Sequence, residues 1–166
     1  MARAVGDLVS AHFSVAELTD GRGWWPDDVE GEAARYAELA IVLEQARAIL
    51  GVPMRGISGA RPIGHNDGGR ASSMHLPPIQ RAAPAMRYMR RAPKDRGAAL
   101  DFIPQGMPCD VAFRLLDAAM RDGRIKPGGL FWYPSDAARP GAASGRFIHI
   151  DNRGTIARER ALTPPK

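Results

Sequence analysis

"SSMHLPPIQRAAPAMRYMRRAPKDRGAALDF", residues 72–102, opens on a serine-rich turn with a histidine and closes on a short apolar run around an aspartate. Between the two ends lies a proline-flanked basic run. His75 and Asp101 are either two ends of one split motif or parts of unrelated segments. That choice decides which strands must come together and what the domain does.

The charge pattern isolates the middle of this stretch. Residues 77–96 carry Arg81, Arg87, Arg90, Arg91, Lys94 and Arg96 against Asp95 alone, which equals the chain's whole net charge of +5. The rest of the chain is formally neutral. A neutral body with one basic segment points to a local device for an anionic partner, not to a generally basic nucleic-acid binder. The run also lacks a nucleic-acid reading module, and Tyr88 is its one aromatic for base stacking.

Length and composition bound the remainder. A chain of 166 residues with 45% hydrophobic residues can build one domain with its own core, so residues 1–166 are expected as a single domain. No apolar run approaches the roughly 18–20 residues needed to span a bilayer, so no membrane span is expected. The start lacks a long apolar stretch and carries Asp7 and His12, so synthesis in the cytoplasm without a signal peptide is expected. Cys109 has no second cysteine to pair with.

Periodicity predicts the elements. Phe13, Val15 and Leu18 are anchors near the start, and "GRGWWPDD" reads as a loop whose Trp24 and Trp25 cover the core edge. From Glu32 to Leu50, Tyr36, Leu39, Ala40, Leu43, Ala46 and Leu50 share one helical stripe, with Gly51 placed to end it. "MRGISGARP" reads as a strand and turn, "IGHNDGGRASS" as a glycine-rich loop, and "GAALDFIP" as a strand ending at Pro104. A second helix runs through "PCDVAFRLLDAAMRDG", with Val111, Ala112, Leu115, Ala119 and Met120 as its buried stripe. "GGLFWYP" and "RFIHIDNRG" are strands, and "ALTPPK" is a frayed tail. Helices segregated from antiparallel strands give an α+β domain with a small antiparallel sheet and flanking helices.

In an extended "FIHID", Phe147, His149 and Asp151 share one face while Ile148 and Ile150 share the other. The isoleucines then enter the core, and His149 and Asp151 line a cleft. Asp101 sits in "GAALDF", where small neighbours allow close backbone approach. Two imidazoles and a carboxylate form a catalytic zinc set with a fourth position open for water. Taken singly, such a residue is more often a hydrogen-bonded core or surface group than a metal ligand.

Taken together, "SGARPIGHNDGGRASSMHL", "RGAALDF", "GGLFWYP" and "FIHIDNRG" resemble the zinc D-alanyl-D-alanine carboxypeptidase and murein endopeptidase family, peptidase family M15, above all its short single-domain phage and bacterial members. "HFSVAELTDG" and "LEQARAILGVP" fit the same family's N-terminal part, so the likeness runs in order from about residue 12 to 154. It implies a Hedgehog/DD-peptidase-like fold. Ser73, Met74 and His75 match the start of the family's first ligand motif, and Gly97, Ala99 and Asp101 match its end. The family separates that His and Asp by seven positions; here they are 26 apart, and residues 77–95 are the difference of 19. The resemblance implies His75, Asp101 and His149 as ligands of Zn2+. It implies Arg61 as the arginine that holds a substrate carboxylate, a task suited to a planar guanidinium. Ser58, Ser73, His65 and Asn66 shape the cleft or satisfy loop backbone groups. Tyr133 either donates to a developing oxyanion or forms a cleft wall with Trp132.

One position departs from the pattern. The family's general base lies three residues before the last histidine, and here that residue is Arg146, which cannot take a proton at neutral pH. Asp136 returns to the site from "SDAARPGAASGR", or Asp151 serves as base, or the base is lost. Asp151 has a competing role, a hydrogen bond that orients a ligand.

Three readings compete for residues 77–95: a solvated loop, a short helix through "AAPAMRYMRRA", or an arm that holds the protein on an anionic wall or envelope polymer. The third predicts weaker wall binding at high salt. The expected activity is metal-assisted hydrolysis of peptidoglycan stem peptides, by an endolysin released to the wall or a component of a phage particle. The rival is a non-catalytic wall-binding or virion structural domain that keeps the fold.

Overall fold

A reciprocal hydrogen-bond box starts the first helix. In the computed structural model, which describes residues 6–19, 32–60, 75, 98–133 and 147–155, Ser14 Oγ accepts the Glu17 N–H at 3.3 Å and the Glu17 carboxylate accepts the Ser14 N–H at 2.9 Å. This satisfies two amide donors that a helix start leaves unpaired. Helix α1 is a single turn, Val15–Leu18. Phe13, Val15 and Leu18 are buried as expected. Arg61, His65, Asn66, Ser73, Asp136, Arg146, Trp24, Trp25, the insertion 77–95 and the tail lie outside the described residues.

Helix α2, Glu32–Leu50, buries every residue of its expected stripe, with Val42 added. Gly51 follows at φ +66°, a conformation that ends helices cheaply only with glycine. Glu44 on the outer side of α2 clamps the N-terminal segment. It accepts from Ser10 Oγ at 2.7 Å and the His12 N–H at 2.7 Å, and its other oxygen lies 2.8 Å from His12 Nδ1. Burial alone would raise the Glu44 carboxyl; the bonds from Ser10 and His12 outweigh it and hold the pKa below its ordinary value.

Four strands form one antiparallel sheet: β1, Met54–Ser58; β2, Ala99–Pro104; β3, Leu130–Tyr133; and β4, Phe147–Asp151. Their order is β1-β2-β4-β3. Period-two alternation sorts the side chains. Leu100 and Phe102 of β2, Leu130 of β3, and Ile148 and Ile150 of β4 turn into the core against both long helices. Asp101, His149 and Asp151 are therefore on the opposite face. A bulge interrupts β1, where Gly56 pairs with Phe102 but Ser58 pairs with Asp101, leaving Ile57 as the extra residue.

Helix α3, Cys109–Arg121, departs from its expected stripe. Its buried residues are Cys109, Ala112, Leu116, Ala119 and Met120, whereas Leu115 is 41% exposed and Val111 is only partly buried. The buried set follows the i, i+3, i+7 spacing from Cys109, with Leu116 as its large member between two alanines that let the sheet come close. Ala112, Ala119 and Met120 are buried as expected, and the difference is confined to Cys109 and Leu116 in place of Val111 and Leu115.

Candidate metal centre

Strand register builds the cluster. Asp101 on β2 and His149 on β4 are direct partners across the antiparallel pair. Directly opposed residues present side chains on the same face. Asp101 Oδ1 lies 2.8 Å from His149 Nδ1. His75 completes the group, with Nε2 3.3 Å from the same Oδ1. The two imidazoles meet edge to face, centroids 5.1 Å apart at 72°. All three residues are buried, and their ligand atoms lie within 4.8 Å of one another, so the group could hold a metal ion.

The nitrogens on the far edges of the rings decide which atoms point inward. His75 Nδ1 lies 2.9 Å from the Gly59 carbonyl oxygen, which can only accept, so Nδ1 carries the proton. His149 Nε2 lies 3.2 Å from Asp151 Oδ2, a carboxylate already held by Arg153, so that nitrogen is the donor too. Both rings thus turn their second nitrogen toward Asp101. Neutral imidazoles would aim two lone pairs at a buried carboxylate. A cation held among the three residues would meet both lone pairs.

The electrostatics follow. Burial alone would lower the His149 pKa, but hydrogen bonds and charge from Asp101 and Asp151 raise it to about 9. Burial would raise the Asp101 carboxyl, yet the charge of His75 and the bonds from both histidines hold it well below the carboxylate range. Asp151 is held low in the same way, against burial, by His149 and Arg153.

Asp151 is fully buried and its oxygens are taken. Oδ1 accepts the Gly129 N–H at 2.9 Å, the Arg153 N–H at 3.2 Å and Arg153 Nε at 2.8 Å. Oδ2 accepts from Arg153 Nε at 3.0 Å, from Arg153 Nη2 and from His149. Its carboxylate therefore meets the edge of the His149 ring away from Asp101. Residue 129 must be glycine for this, because a Cβ there would stand 2.2 Å from Asp151 Oδ2. Gly59 is equally constrained on the His75 side: a Cβ would stand 2.0 Å from the Leu18 carbonyl oxygen. The adjacent Ala60 N–H donates to that same oxygen at 2.7 Å, so α1 seats the peptide that orients His75.

Tyr133 stacks on Phe147, centroids 4.7 Å apart at 18°. Phe131, the register partner of His149, lies 5.3 Å from its ring. Aromatic rings thus line the cluster's face along β3 and β4. Trp132 points the other way, against the core. His12 belongs to the Glu44 clamp.

Sequence reasoning missed Gly59, Gly129 and Arg153. Arg153 had a signal, since two residues after Asp151 is the same side of an extended chain. The glycines had none, because their need arises from segments distant in sequence.

No family model matches this chain, and neither the curated proteins nor the solved structures give a match. Fold and site together define an α+β domain with a small four-stranded antiparallel sheet, whose outer face carries a buried His-Asp-His group that could hold a metal ion.

Proposed function

We propose that this chain is a zinc-dependent peptidase that cleaves peptidoglycan stem peptides, built on a Hedgehog/DD-peptidase-like fold. The observation that carries the metal assignment is the inward convergence of His75 Nε2, Asp101 Oδ1 and His149 Nδ1, with each outer ring nitrogen already committed to an acceptor. Nitrogen and carboxylate oxygen donors suit zinc, and three protein ligands are the number that catalytic zinc sites use. When bound, zinc lowers the pKa of water toward neutrality and polarises a carbonyl. The substrate class rests on the motifs in "SGARP", "SSMH", "RGAALDF" and "FIHID".

In this reading His75, Asp101 and His149 hold the ion, and Asp151 orients His149. Arg61 and Ser73 bind the substrate's carboxylate and backbone, and the Tyr133–Phe147 stack forms a wall of the cleft. Asp136 is the candidate proton acceptor, because the Asp151 oxygens are engaged by Arg153, Gly129 and His149. Hydrolysis of purified muropeptides is the test, with zinc content measured alongside. Wild type should carry about one zinc per chain and cleave. His149→Ala should lose both; normal zinc and normal hydrolysis in that variant would sink the assignment.

A second reading has its own observation. Arg146 occupies the place of the family's general base, and Asp151 is bound up in hydrogen bonds. A wall-binding or virion domain that keeps metal without hydrolysis fits both facts. Zinc-loaded wild type that binds walls but leaves muropeptides intact would select it.

A further inference from the structure

We propose that Arg153 is a positioning residue for a metal ion at His75, Asp101 and His149, acting through the Asp151 carboxylate. This rests on reading the cluster as a metal site. The chain of contacts is continuous. Arg153 holds both Asp151 oxygens through Nε and reaches Oδ2 again through Nη2. Gly129 and the Arg153 amide bind only Oδ1. Oδ2, the oxygen that receives His149 Nε2, is held by Arg153 side-chain nitrogens. The fork therefore fixes the carboxylate torsion that sets which nitrogen of His149 carries the proton, and leaves Nδ1 facing Asp101.

Arg153 is itself held in place. Its guanidinium lies 5.4 Å from the Phe131 ring centroid, and Phe131 packs beside His149. Charge alone gives a different expectation from geometry. Removing a cation from the neighbourhood would favour metal binding, whereas losing the fork would disfavour it. Arg153→Lys separates the two, since lysine keeps the charge but cannot make the planar double contact.

The test measures the zinc dissociation constant by competition with a chromophoric chelator, for wild type, Arg153→Lys and Asp151→Asn. Thermal unfolding without metal is recorded in parallel. Both variants should bind zinc about 10–100-fold more weakly than wild type. The zinc-loaded wild type should show a slowly exchanging His149 Nε2–H in long-range proton–nitrogen spectra, lost or broadened in Arg153→Lys. Wild-type affinity and an intact Nε2–H signal in Arg153→Lys would overturn the proposal. So would a lowered metal-free unfolding temperature with unchanged affinity, which marks a purely structural ion pair. If wild type itself takes no zinc, the metal reading falls and this proposal falls with it, an outcome distinct from a variant that binds as wild type does.

Discussion

Asp101 and His149 lie 48 residues apart in sequence and 2.8 Å apart in space, as direct register partners across β2 and β4. Slipping that register by one residue would turn one of the two side chains to the other face of the sheet. Ile148 and Ile150 in the core, beside Leu100 and Phe102, oppose such a slip, since it would expose them. The hydrophobic face thus specifies the polar one.

Metal should stabilise the fold by mass action. Free zinc at a hundredfold excess over its dissociation constant should add about 2.7 kcal/mol to unfolding. His75→Ala and His149→Ala should abolish the zinc-dependent rise in melting temperature. A rise of equal size in either variant would locate the metal elsewhere.

Metal-free and zinc-loaded protein should differ in pH dependence. His149 is raised to about 9 from an unfolded value near 6.5, so its protonation contributes stability that is fully present below about pH 6.5 and is lost as pH rises through about 9. Asp101 and Asp151 are lowered, so their contribution is present above about pH 4 and is lost as pH falls below it. Metal-free protein should therefore be most stable between about pH 4 and 6.5 and weaken toward pH 9. Zinc competes with the proton on His149, so its binding should tighten over that alkaline range and offset the loss. Denaturant titrations across pH, with zinc and with chelator, check both slopes.

Gly59→Ala and Gly129→Ala should each destabilise by about 1–3 kcal/mol, the cost of forcing a methyl group into packed surroundings. A Cβ would collide with the Leu18 carbonyl in one case and with the Asp151 carboxylate in the other. Gly129→Ala should also weaken zinc binding, because the displaced carboxylate is the one that His149 meets. Equal zinc affinity in that variant would show that Asp151 tolerates displacement.

Helix α3 offers a clean comparison. Leu116→Ala should cost about 2–5 kcal/mol as a cavity in the core. Leu115→Ala, on the exposed side, should stay within about 0.5 kcal/mol of wild type. Urea unfolding of the two variants decides which leucine faces the sheet.

The sequence by itself determined the element order from α2 onward, the buried stripe of α2 and the alternation in "FIHID" that separates His149 and Asp151 from two core isoleucines. These are local properties of period 3.6 or 2, carried by residues a few positions apart. Helix α3 was legible only in outline, because Leu115 and Leu116 are equally apolar and only the sheet beneath selects one. The tertiary structure decided the rest. It brought His75, Asp101 and His149 together, placed the Gly59 carbonyl and Asp151 at the outer nitrogens, and spent both Asp151 oxygens on Arg153, Gly129 and His149. Which ring nitrogen faces inward depends on what each outer nitrogen touches, and those partners come from strand register and from close approach at two glycines.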